Sequence, residues 1–360
     1  MNQFRRAAPH RGIRRASLVV ASALVITALA TAGLAAAAGG RQQGGHGGGH
    51  NGGHGGGSTT TTSAPTTTTT SPSTTTTTAP STTTTTTAPI KVPSWWKPGP
   101  SPLSWQWEID HALSLTNATD LGTNDTLPSG APAPAPVVYD IDGIENPAST
   151  VAGLHARGAH AICYIEVGTA GNYYTAAQEG IATTYYSQLQ AAGVFGDKLS
   201  GYPEYFVNIT SAATVKIMES MIAQQCAAKG FDAVETDLDE TYAGSDGATG
   251  FSLTQANEVT YMTTLASYMH SLGMGWIIKN PDDTGDAYAS IMEPLADGVL
   301  TEQCNEYSTC SALSAYLGHK AVFNAEYNLP TSSFCSSDVA KQINGALFPV
   351  DLNGVRNPCA

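Results

Sequence analysis

Residues 230–242 read GFDAVETDLDETY: a glycine that stops a helix, an apolar strand entry, then acids where a buried parallel strand would carry valine or isoleucine. In an extended chain alternate side chains share a face, so Glu235, Asp237 and Asp239 fall on one side and Val234, Thr236 and Leu238 on the other. Taking three unpaired carboxylates out of water costs several kcal/mol each, so their side must open into a polar cavity where the charge has a use. A solvated acidic edge strand is the plainer reading, and the apolar entry and helical flanks speak against an edge.

Outward from this strand the chain alternates. Strand patterns cover 104–109, 137–142, 161–167, 232–238, 275–280, 298–302, 321–327 and 346–352. Helical patterns cover 147–157, 211–229, 254–272, 284–296, 308–317 and 336–344, and Gly158, Gly230, Gly273 and Gly318 stop four of them. Eight strands interleaved with helices over about 260 residues predict an α/β fold, the (β/α)8 TIM barrel. The chain ends too soon after the eighth strand for a last helix, so the barrel is trimmed there or closed by the segment around 91–102. A doubly wound open sheet is the alternative, but no glycine-rich phosphate turn follows the first strand.

In such a barrel the chemistry stands at the C-terminal strand ends. Those ends carry Trp107 and Glu108, Asp140 and Asp142, Tyr164 and Glu166, Asp237 and Asp239, Lys279 and Asn280, Glu302, Glu326 and Tyr327, and Asp351. Carboxylates ring the mouth. The chain has no dinucleotide fingerprint, no GxSxG and no HExxH, and DLDETYAGSDG lacks the strict register of a calcium loop, so neither a cofactor nor a metal is expected. Carboxylate acid/base and nucleophilic work on glycosides is what such a ring offers.

Residues 168–208 are too many for a plain connection and carry Tyr173, Tyr174, Tyr185, Tyr186, Phe195, Tyr202, Tyr205 and Phe206. Most are expected to pack a small core of their own, with Tyr173 and Tyr174 beside the strand end as sugar platforms. His155, His160, His270 and His319 lie far from the strand mouths and read as structural.

The ends of the chain set its compartment. Residues 1–38 place Arg5, Arg6, Arg11, Arg14 and Arg15 before an uncharged apolar run, the form of a cleaved export signal, with an uncleaved membrane anchor as the alternative. Residues 39–57 are a Gly/His-rich segment whose His46, His50 and His54 can hold zinc, nickel or copper weakly, although a polar spacer suffices. Residues 58–89 are a Thr/Ser/Pro-rich stretch expected to be a disordered, O-glycosylated linker. The remaining 90–360 form one domain. It retains 10 of the 16 basic residues and all 29 acidic ones, a formal charge of −19 that repels nucleic acid and anionic membranes and attracts cationic polymers. All six cysteines lie in it, and for an exported chain they read as three disulfides. Of the 15 pairings, Cys304 with Cys310 and Cys335 with Cys359 serve as local clips, leaving Cys163 on a strand for Cys226 on the next helix.

In order along the chain, WQW, VVYDIDGI, AICYIEVG, GYPEYFVNI, GFDAVETDLDETY, GWIIKN, VLTEQCNEY and AVFNAEYN resemble the glycoside hydrolase family 114 barrel, the endo-α-1,4-polygalactosaminidase family. The resemblance spans residues 103–360. It implies an enzyme that cuts an α-1,4-linked galactosamine-containing exopolysaccharide internally; with the leader, the expectation is a secreted monomer. It also implies that the acids ending the fourth and sixth strands, Asp237 and Glu302, are the catalytic pair. A retaining double displacement with Asp237 as nucleophile and Glu302 as general acid/base is expected for carboxyl groups about 5–5.5 Å apart, and inversion with Asp237 activating water for about 6.5–9.5 Å. A neighbouring carboxylate such as Glu326, or a dry wall, would then keep Glu302 protonated. Trp107, Asp140, Asp142, Tyr164, Glu166, Asp239, Lys279, Glu326 and Tyr327 form the expected substrate-binding rim, with Lys279 as charge partner to Asp237. The other readings are an enzyme on a different α-glycoside and a surface-tethered polysaccharide-binding barrel without turnover.

Overall fold

The computed structural model describes residues 95–360 apart from Ser101 and Ser245. The readings of 1–38, 39–57 and 58–89, including His46, His50 and His54, lie outside the described residues. The elements in order are β1 (Trp105–Glu108), β2 (Val138–Asp142), α1 (Ala148–His155) and β3 (His160–Glu166). An excursion follows with β4 (Thr169–Gly171), α2 (Ala176–Glu179), α3 (Tyr185–Ala191), β5 (Phe195–Lys198) and β6 (Glu204–Val207). The barrel resumes with α4 (Ala212–Met221), β7 (Ala233–Asp237), α5 (Gln255–Ser271), β8 (Gly275–Lys279), α6 (Asp286–Met292) and β9 (Gly298–Glu302). It ends with β10 (Ala321–Glu326), α7 (Thr331–Lys341), β11 (Asn344–Leu347) and β12 (Asn357–Pro358).

Eight strands pair in parallel in the order β1-β2-β3-β7-β8-β9-β10-β11, and β12 adds an antiparallel end. This is the (β/α)8 architecture expected from the strand–helix alternation. Period-two alternation builds its two cores. Outward-facing Val234, Trp276, Ile278, Val299 and Val322 join a layer with Met262, Leu265 and Met269 of α5 and Met292 of α6. Inward-facing Trp105, Ile162, Ala233, Ile277, Leu300, Phe323 and Ala346 fill the barrel.

Among the described residues no ladder joins β11 to β1; side chains close that seam instead. The Trp105 indole donates to the Asn344 carbonyl at 2.8 Å, and Leu103 N donates to Asn344 Oδ1 at 2.7 Å. Higher up, Glu108 bridges Asn353 and Ile109 N reaches the Leu352 carbonyl. The last residues then lock across the first strand. Buried Arg356 pairs with Asp125 at 2.7 Å and donates to the carbonyls of Trp105, Gly122 and Pro134. At the strand-start end, Trp95 stacks on His270, Trp96 stacks on His160, and Ala321 N bonds the Pro98 carbonyl, so this segment covers the barrel floor.

Several boundaries differ from the sequence pattern. The eighth strand starts two residues early and stops at Leu347, since Pro349 cannot donate to a ladder. Of 308–317 only a tight turn at Cys310–Leu313 is helical, held short by left-handed Ser308 (φ 59°) and the Cys304–Cys310 disulfide. The other two disulfides are Cys163–Cys226, which ties β3 to the π-helical turn (Ile222–Cys226) that continues α4, and Cys335–Cys359. Residues 169–207 fold into a small antiparallel sheet, ordered β4-β6-β5, beside α2 and α3. Among the described residues no helix is long and apolar enough to cross a membrane.

Replacing Arg356 by Met leaves the half-buried Asp125 without its cation and strips four carbonyl and hydroxyl acceptors of their donor. Breaking one side of such a pair costs about 3–5 kcal/mol. A matching fall in unfolding free energy is the expected result, read from the urea midpoint of tryptophan fluorescence with the slope unchanged.

Candidate active site

Three adjacent strands deliver the centre of the site. Asp237 ends β7, Lys279 ends β8 and Glu302 ends β9. The residue after each is left-handed without being glycine: Leu238 (φ 57°), Asn280 (φ 45°) and Gln303 (φ 56°). Such backbone costs on the order of 1–3 kcal/mol per residue and persists only where the surroundings fix it. Leu238 is fixed by packing with Leu199 and Phe206 of the excursion. Its carbonyl lies where a Cβ on Gly168 would sit, only 1.9 Å away, which excludes any side chain at that position.

The Lys279 ammonium is 2 % exposed and touches three carboxylates: Glu235 and Asp237 at 3.3 Å each and Glu302 at 3.4 Å. The Trp107 ring lies over it, with 4.8 Å from nitrogen to centroid. Burial alone would discharge this lysine, yet the field of Asp237, Glu302 and Glu235 raises its pKa well above the ordinary value. Asp237 also accepts the Tyr164 hydroxyl at 2.6 Å and the Leu238 amide at 3.1 Å. Asn280 clamps Glu302 from both directions. Its Nδ2 donates to Glu302 Oε2 at 2.9 Å, and its Oδ1 accepts the Glu302 amide at 2.8 Å. The Tyr327 hydroxyl donates to the other carboxylate oxygen.

These groups floor an open cavity. Its walls carry Glu166 from β3, Tyr202 and Glu204 from the excursion, Asp110 after β1, and Asp351 with its neighbours near the C-terminus. Glu204 is held by the Thr169 and Tyr173 hydroxyls at 2.8 and 2.5 Å. Burial, with the negative charge of Glu302, Asp237 and Glu204, pushes the Tyr202 phenol up. A second cavity, lined mostly by apolar and aromatic side chains of the excursion and α4, meets the first at Tyr164 and Glu166.

The expected rim divides. Trp107, Tyr164, Glu166, Asp237, Lys279 and Glu302 line the cavity, and Tyr327 reaches it through Glu302. Asp239 does not share the face of Asp237, because left-handed Leu238 breaks the alternation; its carboxylate accepts from Thr236 and the Lys279 amide on the outer side. Glu326 is the outward residue of its strand and is bonded by Asn305 and Asn324, near Asp338 of α7. Asp142 caps a turn through the Ile144 and Glu145 amides and accepts the Tyr174 hydroxyl. Asp140 points inward but lies beneath the cavity. Tyr173 and Tyr174 act here as hydroxyl donors to acids. His155, His160, His270 and His319 pair with Asp232, Asp297 and Glu293, away from the cavity lining.

The protonation expected of Glu302 is also corrected. Burial opposes its charge, but Lys279, the Tyr327 hydroxyl and Asn280 hold its pKa below the ordinary glutamate value in the resting site. Glu326 faces the helical layer and is not among the neighbours that set it. Asn280, Tyr202, Glu204 and Asp110 join the site beyond the set expected from the sequence. Asn280 was legible as a strand-end residue; Tyr202 and Glu204 had no strand signal, because the excursion has its own sheet. Among the described residues no group of three or more His, Cys, Asp or Glu side chains is arranged to hold a metal ion.

The model of glycoside-hydrolase family GH114 matches residues 84–360. The chain belongs to family GH114. It is therefore a glycoside hydrolase. Among solved structures, this GH114 barrel resembles Aspergillus fumigatus Ega3 in complex with galactosamine, at 24% identity and TM-score 0.59 over 74% of this chain and 98% of that one. It also resembles the glycoside hydrolase domain of PelA from Pseudomonas aeruginosa, at 12% identity and TM-score 0.47 over 69% and 96%. Among curated proteins there is no match.

Glu108 gives this GH114 site a stability signature. It is fully buried at the end of β1, and burial, against the His111 and Asp110 amides, raises its pKa from 4.5 to about 9. An acid with a raised folded pKa stabilises the fold below its unfolded value and loses that contribution as pH rises through the folded one. Wild-type stability is expected to decline from about pH 5 to about pH 9, and Glu108→Gln to flatten that slope in urea titrations across the range.

Proposed function

We propose that this chain is an exported hydrolase that cuts an α-1,4-linked, galactosamine-containing exopolysaccharide internally, with Asp237 as nucleophile and Glu302 as general acid/base. The observation that carries this reading is the pair of carboxylates on neighbouring strand ends sharing one buried ammonium at the floor of an acid-walled cavity. Oxygens held 3.3 and 3.4 Å from one nitrogen are no farther apart than those two lengths end to end. That bound on the two contacting oxygens accommodates the carboxyl separation of about 5–5.5 Å of retaining enzymes.

In the proposed double displacement, Asp237 attacks the anomeric carbon while Glu302 gives its proton to the departing glycosidic oxygen. The glycosyl ester neutralises Asp237, which frees Lys279 to favour ionised Glu302, now the base that takes a proton from water. Tyr164 and Lys279 orient the nucleophile, and Tyr327 and Asn280 orient Glu302. Glu166, Glu204, Asp110 and Asp351 suit a sugar that carries an ammonium group, as deacetylated galactosamine does. The galactosamine in the Ega3 structure supports that substrate class, and the arginine-rich leader with its Thr/Ser/Pro tract supports an exported, tethered enzyme with its catalytic domain at 90–360. The lowered pKa of Glu302 favours a second reading in which the two acids exchange roles.

Partially deacetylated poly-α-1,4-galactosamine is the substrate to try, with reducing-end release as the readout. Asp237→Asn and Glu302→Gln are each expected to cut release at least 100-fold with the fold intact, the scale of losing a catalytic acid or base. Azide separates the roles: it should rescue Asp237→Ala as an inverted glycosyl azide and Glu302→Ala as a retained one. The opposite pattern establishes the exchanged assignment.

A further inference from the structure

Beneath the catalytic pair lies a carboxylate that touches no part of the cavity. Glu235 sits two residues before Asp237 on the inward face of β7, is fully buried, and contacts the same Lys279 ammonium at 3.3 Å. Its neighbour Asp140 on β2 is equally buried. Neither residue lines the cavity that Asp237 and Glu302 floor. The barrel interior here therefore holds one cation against four carboxylates, of which the chemistry uses two.

We infer that Glu235 is a positioning residue for the hydrolysis, competing with Asp237 and Glu302 for the single Lys279 ammonium and so setting how firmly Glu302 keeps its proton. This rests on the proposed assignment of Asp237 and Glu302 as the catalytic pair. The competition follows from geometry. One ammonium with three donors meets three carboxylates at nearly equal distance, so charge given to one is withdrawn from the others. The groups facing Glu235 are few. Asp140 comes from β2, Tyr164 is its register partner on β3, Asp237 is on its own strand, Lys279 is on β8 and Glu302 on β9. From β1, β10 and β11 the interior receives only uncharged Trp105, Trp107, Phe323, Ala325 and Ala346. Burial first, then the charge on Asp237, lifts Glu235 to about 7 against the pull of Lys279, so it changes charge within the range where a secreted enzyme works. When Glu235 ionises it draws on Lys279, which weakens the hold on ionised Glu302 and favours the protonated acid. When it is neutral, Lys279 belongs to the catalytic pair alone.

Glu235→Gln keeps the shape and fixes the neutral state. The pH profile of kcat/KM on partially deacetylated poly-α-1,4-galactosamine should then move to lower pH at both limbs. Near neutral pH kcat should fall several-fold with KM nearly unchanged. Asp140→Asn, which keeps a hydrogen-bond donor beside Glu235, should leave both limbs in place. Limbs that stay put in Glu235→Gln, or that move as far in Asp140→Asn, overturn the inference. Should Glu235→Gln fail to fold by near-ultraviolet circular dichroism, carbon-13 titration of glutamate-labelled wild type replaces it. A mutually biphasic titration of the Glu235 and Glu302 carboxyls upholds the inference, and independent single steps overturn it. Asp237→Asn belongs in the same assay. If it retains full activity the catalytic reading fails, whereas an inactive Asp237→Asn beside an unmoved Glu235→Gln profile sinks only the positioning role.

Discussion

One ammonium holds this barrel mouth together. Lys279 is as buried as the core leucines around it, and a lone charge in that place costs several kcal/mol. Three carboxylates offset the cost, each of which would itself be untenable there without the lysine. Removing the lysine leaves the carboxylates unpaired, whereas neutralising one carboxylate leaves two to hold the lysine. Trp107 above the nitrogen and Asn280 against Glu302 fix its geometry, and those residues come from β1 and the end of β8. The mouth is therefore a single polar network spread over four or more strands, and a parallel barrel is the architecture that converges so many strand ends on one point.

The same strands tell how such a network survives in an apolar interior. At the strand starts the inward residues are Val138, Ile162, Ala233, Ile277 and Leu300, closed below by the stacked Trp95 and Trp96 segment. Polarity rises along the two central strands: Ala233, Glu235, Asp237 on β7, and Gly275, Ile277, Lys279 on β8. The dry lower layer raises the strength of every charge contact above it, since the effective dielectric falls with burial. Left-handed Leu238, Asn280 and Gln303 then turn the chain away at once, so that nothing follows the functional side chains into the cavity.

Period-two alternation made most of this legible in the sequence. It placed Asp237, Lys279, Glu302, Tyr164 and Trp107 inward at strand ends, and it put Cys163 outward where Cys226 meets it. It failed where the backbone ceased to be extended. Asp239 was read on the face of Asp237, but the positive φ of Leu238 turns it to the outer side, where Thr236 and Trp276 form its surroundings. Glu326 and Tyr327 were both assigned to the mouth although adjacent strand residues cannot face the same way; the inward one is Tyr327. Glu204 and Tyr202 were illegible for a different reason. They arrive on a sheet inserted after β3, and long-range placement of an insertion leaves no periodic trace in its own residues.

Charge is distributed unequally between the two ends of the barrel. The cavity end gathers Asp110, Glu166, Glu204, Asp237, Glu302 and Asp351 around one lysine that is already neutralised. The floor end pairs its acids locally, Asp232 with His155 and His160, and Asp297 with His270 and Lys97. Opposite charges held in contact project little field beyond the Debye length of about 10 Å, whereas an excess of acid over base in a low-dielectric cleft focuses its field outward. Among the described residues, the end that would attract ammonium groups is thus the one where the strand-terminal acids stand. The excess of acid over base, which in the sequence was only a number, acquires a direction through the fold.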